Sequence, residues 1–277
     1  MNLQNPRIIS VCMAKGGVGK SSTALNLGSA LSKEGKKVLL IDSDPQVGNM
    51  TLALGQSPGK LKYTLANIIL HFLDTGEVAG FDETCIAISE NMHLIPSNPR
   101  LATIQDRLIF ERSSGNIFED NNKVASQNVL KTILSKVSEN YDYIIIDCPP
   151  SISMLCINAL VASNSVILPV EPHFDCYEAL AQILDIIKRI QSDWNKTLCI
   201  EGILITKNQK ITNICNEIID IVNKNYTANI SIFPENIPLC IKVADSAGAG
   251  INTVDFAPTC EASKAYVALA KEVMVNG

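Results

Sequence analysis

The sequence predicts an α/β fold, built as one domain with a mostly parallel, twisted sheet and helices on both of its faces. Short apolar runs that fit buried strands alternate along the chain with segments whose apolar residues recur at helical spacing. No linker, repeat or low-complexity tract divides the 277 residues, so the domain is expected to span residues 1–277. The apolar content of 47% can fill a sizeable core.

Composition narrows the classes of function. A formal net charge of −5 argues against a protein that always grips nucleic acid, although it leaves room for a local basic patch. No uninterrupted apolar run reaches the ~18 residues of a membrane span, and the N-terminus lacks the pattern of a signal peptide. We therefore expect a cytoplasmic protein that does not enter the membrane. The nine cysteines include no Cys-x-x-Cys pair, which argues against metal or redox chemistry.

The first strand, loop and helix form the most informative stretch. An apolar run at residues 8–13 predicts a buried strand, and apolar residues at helical spacing follow from Ala24 to Leu31. Between them, residues 14–22 read Ala-Lys-Gly-Gly-Val-Gly-Lys-Ser-Ser. A strand, a glycine-rich turn and the start of a helix are the context that a phosphate-binding loop needs. This stretch therefore predicts a nucleotide-binding site.

The residue types in this loop suit phosphate binding. Glycines let the backbone bend tightly and bring N–H groups close to phosphate oxygens, and the helix N-terminus adds partial positive charge. Lys20 is expected to neutralise the β- and γ-phosphates, and the Ser21 hydroxyl is expected to ligate Mg²⁺. The loop residues predicted to bind nucleotide are Gly16, Gly17, Val18, Gly19, Lys20 and Ser21.

The rest of the chain continues the alternation of strands and helices. Further strands are predicted at 38–41, 94–95, 143–147, 166–170, 198–205 and 230–233. Helices are predicted at 63–73, 127–140, 154–162, 177–191, 211–223 and 259–275, and the polar stretch 112–122 predicts a surface loop. The last helix is poor in Lys and Arg, which favours packing on the sheet over binding to a membrane surface.

Aspartates stand at the carboxyl ends of two predicted strands. Asp42 and Asp44 follow the strand at 38–41, and Asp147 ends the strand at 143–147. An ATPase needs carboxylates to hold Mg²⁺ and to order the attacking water. Because ligands of open α/β sheets bind at the carboxyl ends of the strands, the loop and both aspartate sites are expected to meet at one edge. The sequence therefore predicts a site for ATP or ADP with Mg²⁺.

The loop departs from the general pattern G-x-x-x-x-G-K-[ST] in an informative way. Ala14 stands where the first glycine is expected, and Lys15 adds a second lysine. This variant resembles the deviant Walker A loop of the ParA/MinD family of P-loop ATPases. Together with the two aspartate segments, it makes the chain similar over nearly its whole length to the ParA/Soj type of partition ATPase.

The resemblance implies roles for individual residues. Lys15 resembles the signature lysine that crosses a dimer interface to the partner's nucleotide, and Ser22 matches a residue beside the α-phosphate. The catalytic residues are expected to be Lys15, Lys20 and Asp44, with Asp44 activating the water. The residues at the metal are expected to be Ser21, Asp42 and Asp147. The residues expected near the adenine are Asn208, Phe233, Pro234 and Glu235, although Glu235 stands where the family often has arginine.

The function implied by the resemblance is an ATP-driven switch for DNA segregation, with an ATPase that is weak alone. An ATP-bound homodimer would bind double-stranded DNA without sequence preference, and a ParB-like partner would trigger hydrolysis and release. The protein would then be cytoplasmic and associated with the nucleoid. The basic residues that could contact DNA are Lys188, Arg189, Lys207, Lys210 and Lys242.

Three alternatives remain open at the level of sequence. The first is a MinD-like, membrane-associated regulator of the division site, which would need a basic amphipathic C-terminal helix. The second is a ParA-like ATPase that positions another cargo by the same chemistry. The third is a metabolic small-molecule kinase, against which Lys15 and the pair of Asp42 and Asp44 argue.

Overall fold

The computed structural model describes residues 5–46, 49–113, 124–173, 175–209 and 230–276. Seven strands and the helices around them form an α/β structure. The strands are β1 (Arg7–Val11), β2 (Val38–Asp42), β3 (Ile86–Ser89), β4 (Met92–Ile95), β5 (Tyr143–Asp147), β6 (Ser165–Val170) and β7 (Cys199–Ile205). The helices are α1 (Lys20–Lys33), α2 (Asn49–Ala53), α3 (Leu65–Thr75), α4 (Phe81–Thr84), α5 (Arg100–Ser113), α6 (Val129–Val137), α7 (Met154–Ala162), α8 (Cys176–Asp193), α9 (Ile241–Gly248), α10 (Thr253–Phe256) and α11 (Glu261–Val275).

The strands form one sheet in the order β3-β4-β2-β5-β1-β6-β7. All neighbouring strands pair in parallel except β3, which runs antiparallel to β4 at the edge. The phosphate-binding loop leaves β1, which lies between β5 and β6. The predicted mostly parallel sheet is therefore confirmed, and its carboxyl ends surround the loop.

Two apolar clusters, one on each face of the sheet, form the core. In β5, Ile144 and Ile146 join the first cluster and Ile145 joins the second, as the alternation of side chains along a strand requires. The helices α3, α5, α6, α7 and α8 contribute to the first cluster, whereas α1 and α11 contribute to the second. The prediction of helices on both faces is confirmed.

The structure corrects one predicted strand. Residues 230–233 make only an isolated bridge, between Ile232 and Ile203 of β7, so the strand predicted there is wrong. The chain bends at Pro234, directly after the Phe233 N–H has bonded to the Ile203 carbonyl, and no longer ladder follows.

Two other sequence predictions concern residues that the structure describes only in part or not at all. The helix predicted at 211–223 lies outside the described residues. Of the loop predicted at 112–122, the first two residues end α5 and the rest lies outside them as well. Among the helices that are described, none is long and apolar enough to cross a membrane.

Candidate nucleotide-binding site

The loop between β1 and α1 adopts the tight turn that its glycines predict. Gly17 and Gly19 have φ angles of 79° and 87°, in the left-handed region that residues with a Cβ rarely adopt. The Lys20 ammonium folds back across the loop and donates a hydrogen bond of 2.6 Å to the Lys15 carbonyl. The N-terminus of α1 therefore opens directly onto the concave side of the loop, where an anion would be favoured.

A hydrogen bond ties the loop to the end of β7. The Thr206 hydroxyl donates to the carbonyl of Val18 over 2.8 Å, and both residues are buried. Val18 itself lies in the apolar core. The Val18 side chain thus anchors the loop to the core, and only the Val18 backbone is available to a bound nucleotide.

Strand register brings two of the aspartates side by side. Asp42 at the end of β2 is the direct partner of Asp147 at the end of β5. The Ser43 hydroxyl donates to the Asp147 carbonyl over 2.6 Å, and the Ser97 hydroxyl donates to the Asp44 carbonyl over 2.6 Å. The three aspartates therefore lie at the same edge of the sheet as the loop, as the sequence predicts.

The carboxyl group of Asp147 is fully buried, and neither of its oxygens has a hydrogen-bond partner of normal geometry. Burial raises its pKa well above the usual range, and the charge of Asp42 adds to that effect. The Ser21 hydroxyl and the Lys20 ammonium act in the opposite direction. A buried carboxylate without a partner is costly, so a cation at this position would satisfy it.

Asp42 and Asp44 have partners within the protein. One Asp42 oxygen accepts hydrogen bonds from the N–H and the hydroxyl of Thr51, and the other accepts from the Asp44 N–H. Burial raises the pKa of Asp42 to about 6 although the bonds from Thr51 lower it. The Asp44 carboxylate accepts a bond of 2.9 Å from the Gln46 N–H and lies 3.4 Å from the Asn49 amide nitrogen. Asp42 thus organises the turn that presents Asp44.

The donor set fits Mg²⁺ bound together with a nucleotide. In the described part of the chain, no three side chains of His, Cys, Asp or Glu are grouped to hold a metal by themselves. Mg²⁺ in nucleotide sites is usually held by one or two protein groups together with phosphates and water. Asp147 without a partner and the neighbouring Ser21 supply the kinds of oxygen ligand that such a site needs.

A cavity of about 470 Å³ lies over the loop, a size within the range of small-molecule sites. Its lining includes predicted residues of the loop and the β2 turn: Gly16, Gly17, Gly19, Lys20, Ser21, Ser22 and Asp44. Its lining also includes residues from the C-terminal part of the chain, namely Lys207, Val243, Ser246, Ala247 and Thr253. The structure therefore brings most of the predicted phosphate-binding residues together around one cavity.

The residues predicted to contact the base are placed differently. Phe233 is buried in the core against Gly202, where a Cβ would lie 2.8 Å from the ring, while Pro234 and Glu235 are exposed. Asn208 is buried, and its side-chain oxygen has no hydrogen-bond partner. None of these four residues lines the cavity, so their contact with adenine stays a prediction.

Lys15 does not line the cavity either, because its side chain turns towards the start of α8. Its ammonium donates a hydrogen bond of 2.6 Å to Asp175, which also lies 2.9 Å from the Nδ1 of His173. Burial lowers the pKa of Lys15, but the hydrogen bond to Asp175 and nearby negative charge raise it overall. Lys15 and then His173 lower the pKa of Asp175. In this structure the Lys15 side chain is thus paired with Asp175 of its own protomer.

The sequence analysis named Lys207 only as a candidate DNA contact and did not single out Thr206 or Asn49. Thr206 and Lys207 follow β7 and stand beside the loop, and Asn49 stands beside Asp44. The only local signal for the first two was their position at the carboxyl end of a strand. No sequence pattern predicts that α9 lines the cavity, because this depends on how the C-terminal segment folds back over α1.

Comparisons with known proteins agree with this geometry. The model of the AAA_31 family, described as an AAA domain, matches residues 6–200. The chain is 34% identical to the sporulation initiation inhibitor protein Soj of Bacillus subtilis, over 98% of this chain and 99% of that protein. It is 29% identical to the chromosome partitioning protein ParA of Caulobacter vibrioides, over 98% and 95% of the two chains.

A solved structure extends the comparison to the fold. Cobyrinic acid a,c-diamide synthase from Mycobacterium smegmatis, solved with a bound ATP analogue and magnesium, is 26% identical with a TM-score of 0.79. The alignment covers 97% of this chain and 94% of that one.

A parallel α/β sheet with a glycine-rich loop, a buried carboxylate and a polar cavity at its carboxyl edge defines a P-loop nucleotide-hydrolysing protein. The match to the family model over residues 6–200 and the 34% identity to Soj identify the family within this class. The chain belongs to the ParA/MinD family of P-loop ATPases, among the relatives that include Soj and ParA.

Proposed function

We propose that this protein is a DNA-partition ATPase in which ATP binding, and not ADP binding, assembles a DNA-binding homodimer. The observation that carries the proposal is the direction of the Lys15 side chain. Lys20 already occupies the concave side of the loop, whereas Lys15 points away from the cavity of its own protomer. A lysine at this end of a phosphate-binding loop is available to the nucleotide of a second copy. The similarity to Soj and ParA supports the same reading.

Within one protomer, the loop would bind the phosphates, and the aspartates would serve the metal and the attacking water. Loop N–H groups and Lys20 would bind the phosphates of ATP, and Ser21 and Asp147 would hold Mg²⁺, which supplies positive charge against those phosphates. Asp42 keeps the β2 turn in place through Thr51. Asp44, whose carboxylate accepts a hydrogen bond from the Gln46 N–H, would order the attacking water. The base would lie towards the part of the cavity lined by Val243, Ser246 and Ala247 of α9, and contact with Asn208, Phe233, Pro234 and Glu235 stays a prediction because none of these four lines the cavity.

Charge explains why the triphosphate state should dimerise. Two nucleotides that face each other across an interface repel, and a lysine supplied by each protomer offsets that repulsion. A cation supplied in trans can also stabilise the transition state, an effect worth about 10³–10⁵ in rate in related phosphoryl transfers. Dimerisation and hydrolysis would then depend on the same residue, Lys15.

DNA binding would be regional, because the net charge is −5. Lys188 and Arg189 are exposed on α8, and Lys242 is exposed on α9. A dimer would double such a sparse basic surface and so raise its affinity for the DNA backbone. A ParB-like partner would stimulate hydrolysis and release the protein from the nucleoid, its expected location in the cytoplasm.

The proposal is tested by the binding of random-sequence duplex DNA with ATP, with ADP and without nucleotide, across a salt series. We expect binding with ATP and Mg²⁺ only, and a steep loss of affinity as salt rises, because backbone contacts release counterions. The Lys15→Ala variant, which keeps Lys20, is the matched control and should not bind. Equal binding with ADP, or none in any state, would contradict the proposal.

A further inference from the structure

Lys207 has an unusual backbone. Among the described residues it is the only one other than glycine with a positive φ, at 49°. This left-handed conformation is uncommon for a residue with a long side chain and tends to persist where the surrounding structure holds it, often at functional sites. The conformation raises the question of what the residue does there.

Its location gives an answer. Lys207 is the second residue after β7 and lines the 470 Å³ cavity. The preceding residue, Thr206, bonds to the Val18 carbonyl, and its Cβ lies 3.7 Å from where a Cβ on Gly19 would be. The backbone beside Lys207 is therefore anchored against the phosphate-binding loop through Thr206.

The electrostatic surroundings leave the Lys207 ammonium available. It lies 3.4 Å from the carboxylate of Glu171, the residue that directly follows β6. The two side chains are 39% and 31% exposed, so water screens this ion pair and little free energy is lost when it opens. Lys20 and Lys207 are the two lysines among the described cavity-lining residues, and Asp44 is the acidic one.

We propose that Lys207 is a nucleotide-binding residue whose ammonium leaves Glu171 and binds the phosphate chain of the nucleotide held by the loop. This inference rests on the proposed function, because it places ATP in the same cavity. The phosphate chain is the part of the ligand that carries negative charge, and an ammonium beside it makes a charge-assisted hydrogen bond. Lys207 would then act at the cavity and not on the DNA, contrary to its place among the candidate DNA contacts.

The left-handed backbone allows charge and conformation to be separated. Asparagine tolerates this conformation better than other residues, so Lys207→Asn keeps the backbone and removes the ammonium. Lys207→Arg keeps the charge, and Lys207→Met keeps an unbranched chain without charge. Lys264→Met, at an exposed residue of α11 away from the cavity, is the matched control.

The readout is the equilibrium dissociation constant of the purified full-length protein for ATP, ADP and adenosine, measured by calorimetry with Mg²⁺. We expect Lys207→Asn and Lys207→Met to weaken ATP and ADP by about tenfold or more, the usual effect of losing a charge-assisted hydrogen bond. Adenosine binding should change little. Lys207→Arg and Lys264→Met should stay near wild type, and Glu171→Gln should bind ATP more tightly.

Two results would overturn the inference. One is an unchanged ATP affinity in Lys207→Asn, which would leave the residue with a purely conformational role. The other is an equal loss for adenosine and ATP, which would assign the side chain to the nucleoside. If the wild-type protein itself failed to bind ATP, the proposed function would fail as well, so the two failures are distinguishable.

Discussion

Asp147 combines a structural cost with a functional requirement. Its carboxyl group is buried without a hydrogen-bond partner, while Lys20 and Ser21 approach it from the loop. A protein under selection for stability alone would not place a charge there, because burial disfavours the ionised form. The cost is understandable if the group serves a cation that arrives with the nucleotide.

The first prediction follows from this cost. Without nucleotide and Mg²⁺ at pH 8, Asp147→Asn should raise the free energy of unfolding by about 1–3 kcal/mol, because a neutral amide avoids the cost that burial puts on the Asp147 carboxylate. The same variant should lose ATP turnover. Urea unfolding and a phosphate-release assay measure the two effects. A variant that is both less stable and fully active would contradict the assignment.

The second prediction concerns pH. The folded pKa values of Asp147 and Asp42 lie above the unfolded ones, so the folded state binds more protons in between. Their contribution to stability is therefore greatest at low pH and falls as pH rises, for Asp42 between pH 3.8 and about 6. We expect the stability advantage of Asp147→Asn to shrink as pH is lowered from 8 towards 5. An advantage independent of pH would point to packing instead of charge.

The third prediction separates binding from chemistry at Asp44. The carboxylate accepts the Gln46 N–H and lines the cavity but lies outside the loop. Asp44→Ala should keep ATP affinity and ATP-dependent dimers, whereas turnover should fall by about 10²–10⁴, the usual contribution of a positioned acid or base. Single-turnover kinetics measure the loss. Normal hydrolysis would remove Asp44 from its proposed role.

At the scale of secondary structure, the contact of α1 with the sheet depends on a missing side chain. Gly28 lies within α1, and a Cβ there would stand 2.5 Å from a methyl carbon of Leu40 in β2. Alanine usually stabilises a helix by about 0.5–1 kcal/mol over glycine, but overpacking of a core costs about 1–3 kcal/mol. Overpacking should therefore decide the outcome, because Leu40 is fully buried.

The fourth prediction tests this balance. Gly28→Ala should lower the free energy of unfolding by about 1–2 kcal/mol in denaturant titrations. It should also weaken ATP binding, since α1 carries Lys20 and Ser21 at its first turn. Gly248→Ala, at an exposed helical position where a Cβ meets nothing within 4 Å, is the matched control and should be neutral or stabilising. Equal losses in both variants would contradict the packing argument.

The predictability of the elements follows their burial. Strands such as β2 and β5 are buried on both faces, so their continuous apolar runs identify them. The edge strand β3 alternates half-buried and exposed residues over a short length and was missed. Helix α5 was also missed, although Leu101, Ile104 and Leu108 stand at helical spacing and are buried.

Parts of the site that are defined by neighbouring residues can be predicted from the sequence, whereas parts brought together from distant positions cannot. The loop and Asp147 were found because each is defined by a short local pattern. Lys207 and the α9 residues reach the cavity from more than 180 residues away in the sequence, as the bond between Thr206 and Val18 illustrates. Such a contact depends on tertiary folding, which no local pattern carries. Likewise, the apolar pattern at 230–233 includes the buried Phe233 but pairs with β7 only through the single bridge between Ile232 and Ile203.

For the molecule as a whole, the important feature is the ion pair that holds Lys15 in a single protomer. The pair of Lys15 and Asp175 lies at the surface, with side chains 25% and 61% exposed. Such a pair is screened by water and adds little stability. On the proposed function, Lys15 would exchange Asp175 for the phosphates of a second protomer at low cost. We propose that all 277 residues act as one domain in this exchange.

The most direct test of this account is the molar mass of the protein by light scattering with Mg²⁺ and either ATP or ADP. Asp44→Ala, in which ATP should persist, is the best starting protein, and Lys15→Ala in the same background is its partner variant. The account predicts a dimer with ATP, a monomer with ADP, and a monomer in both states once Lys15 is replaced. A dimer that forms with ADP, or that survives the loss of Lys15, would contradict it.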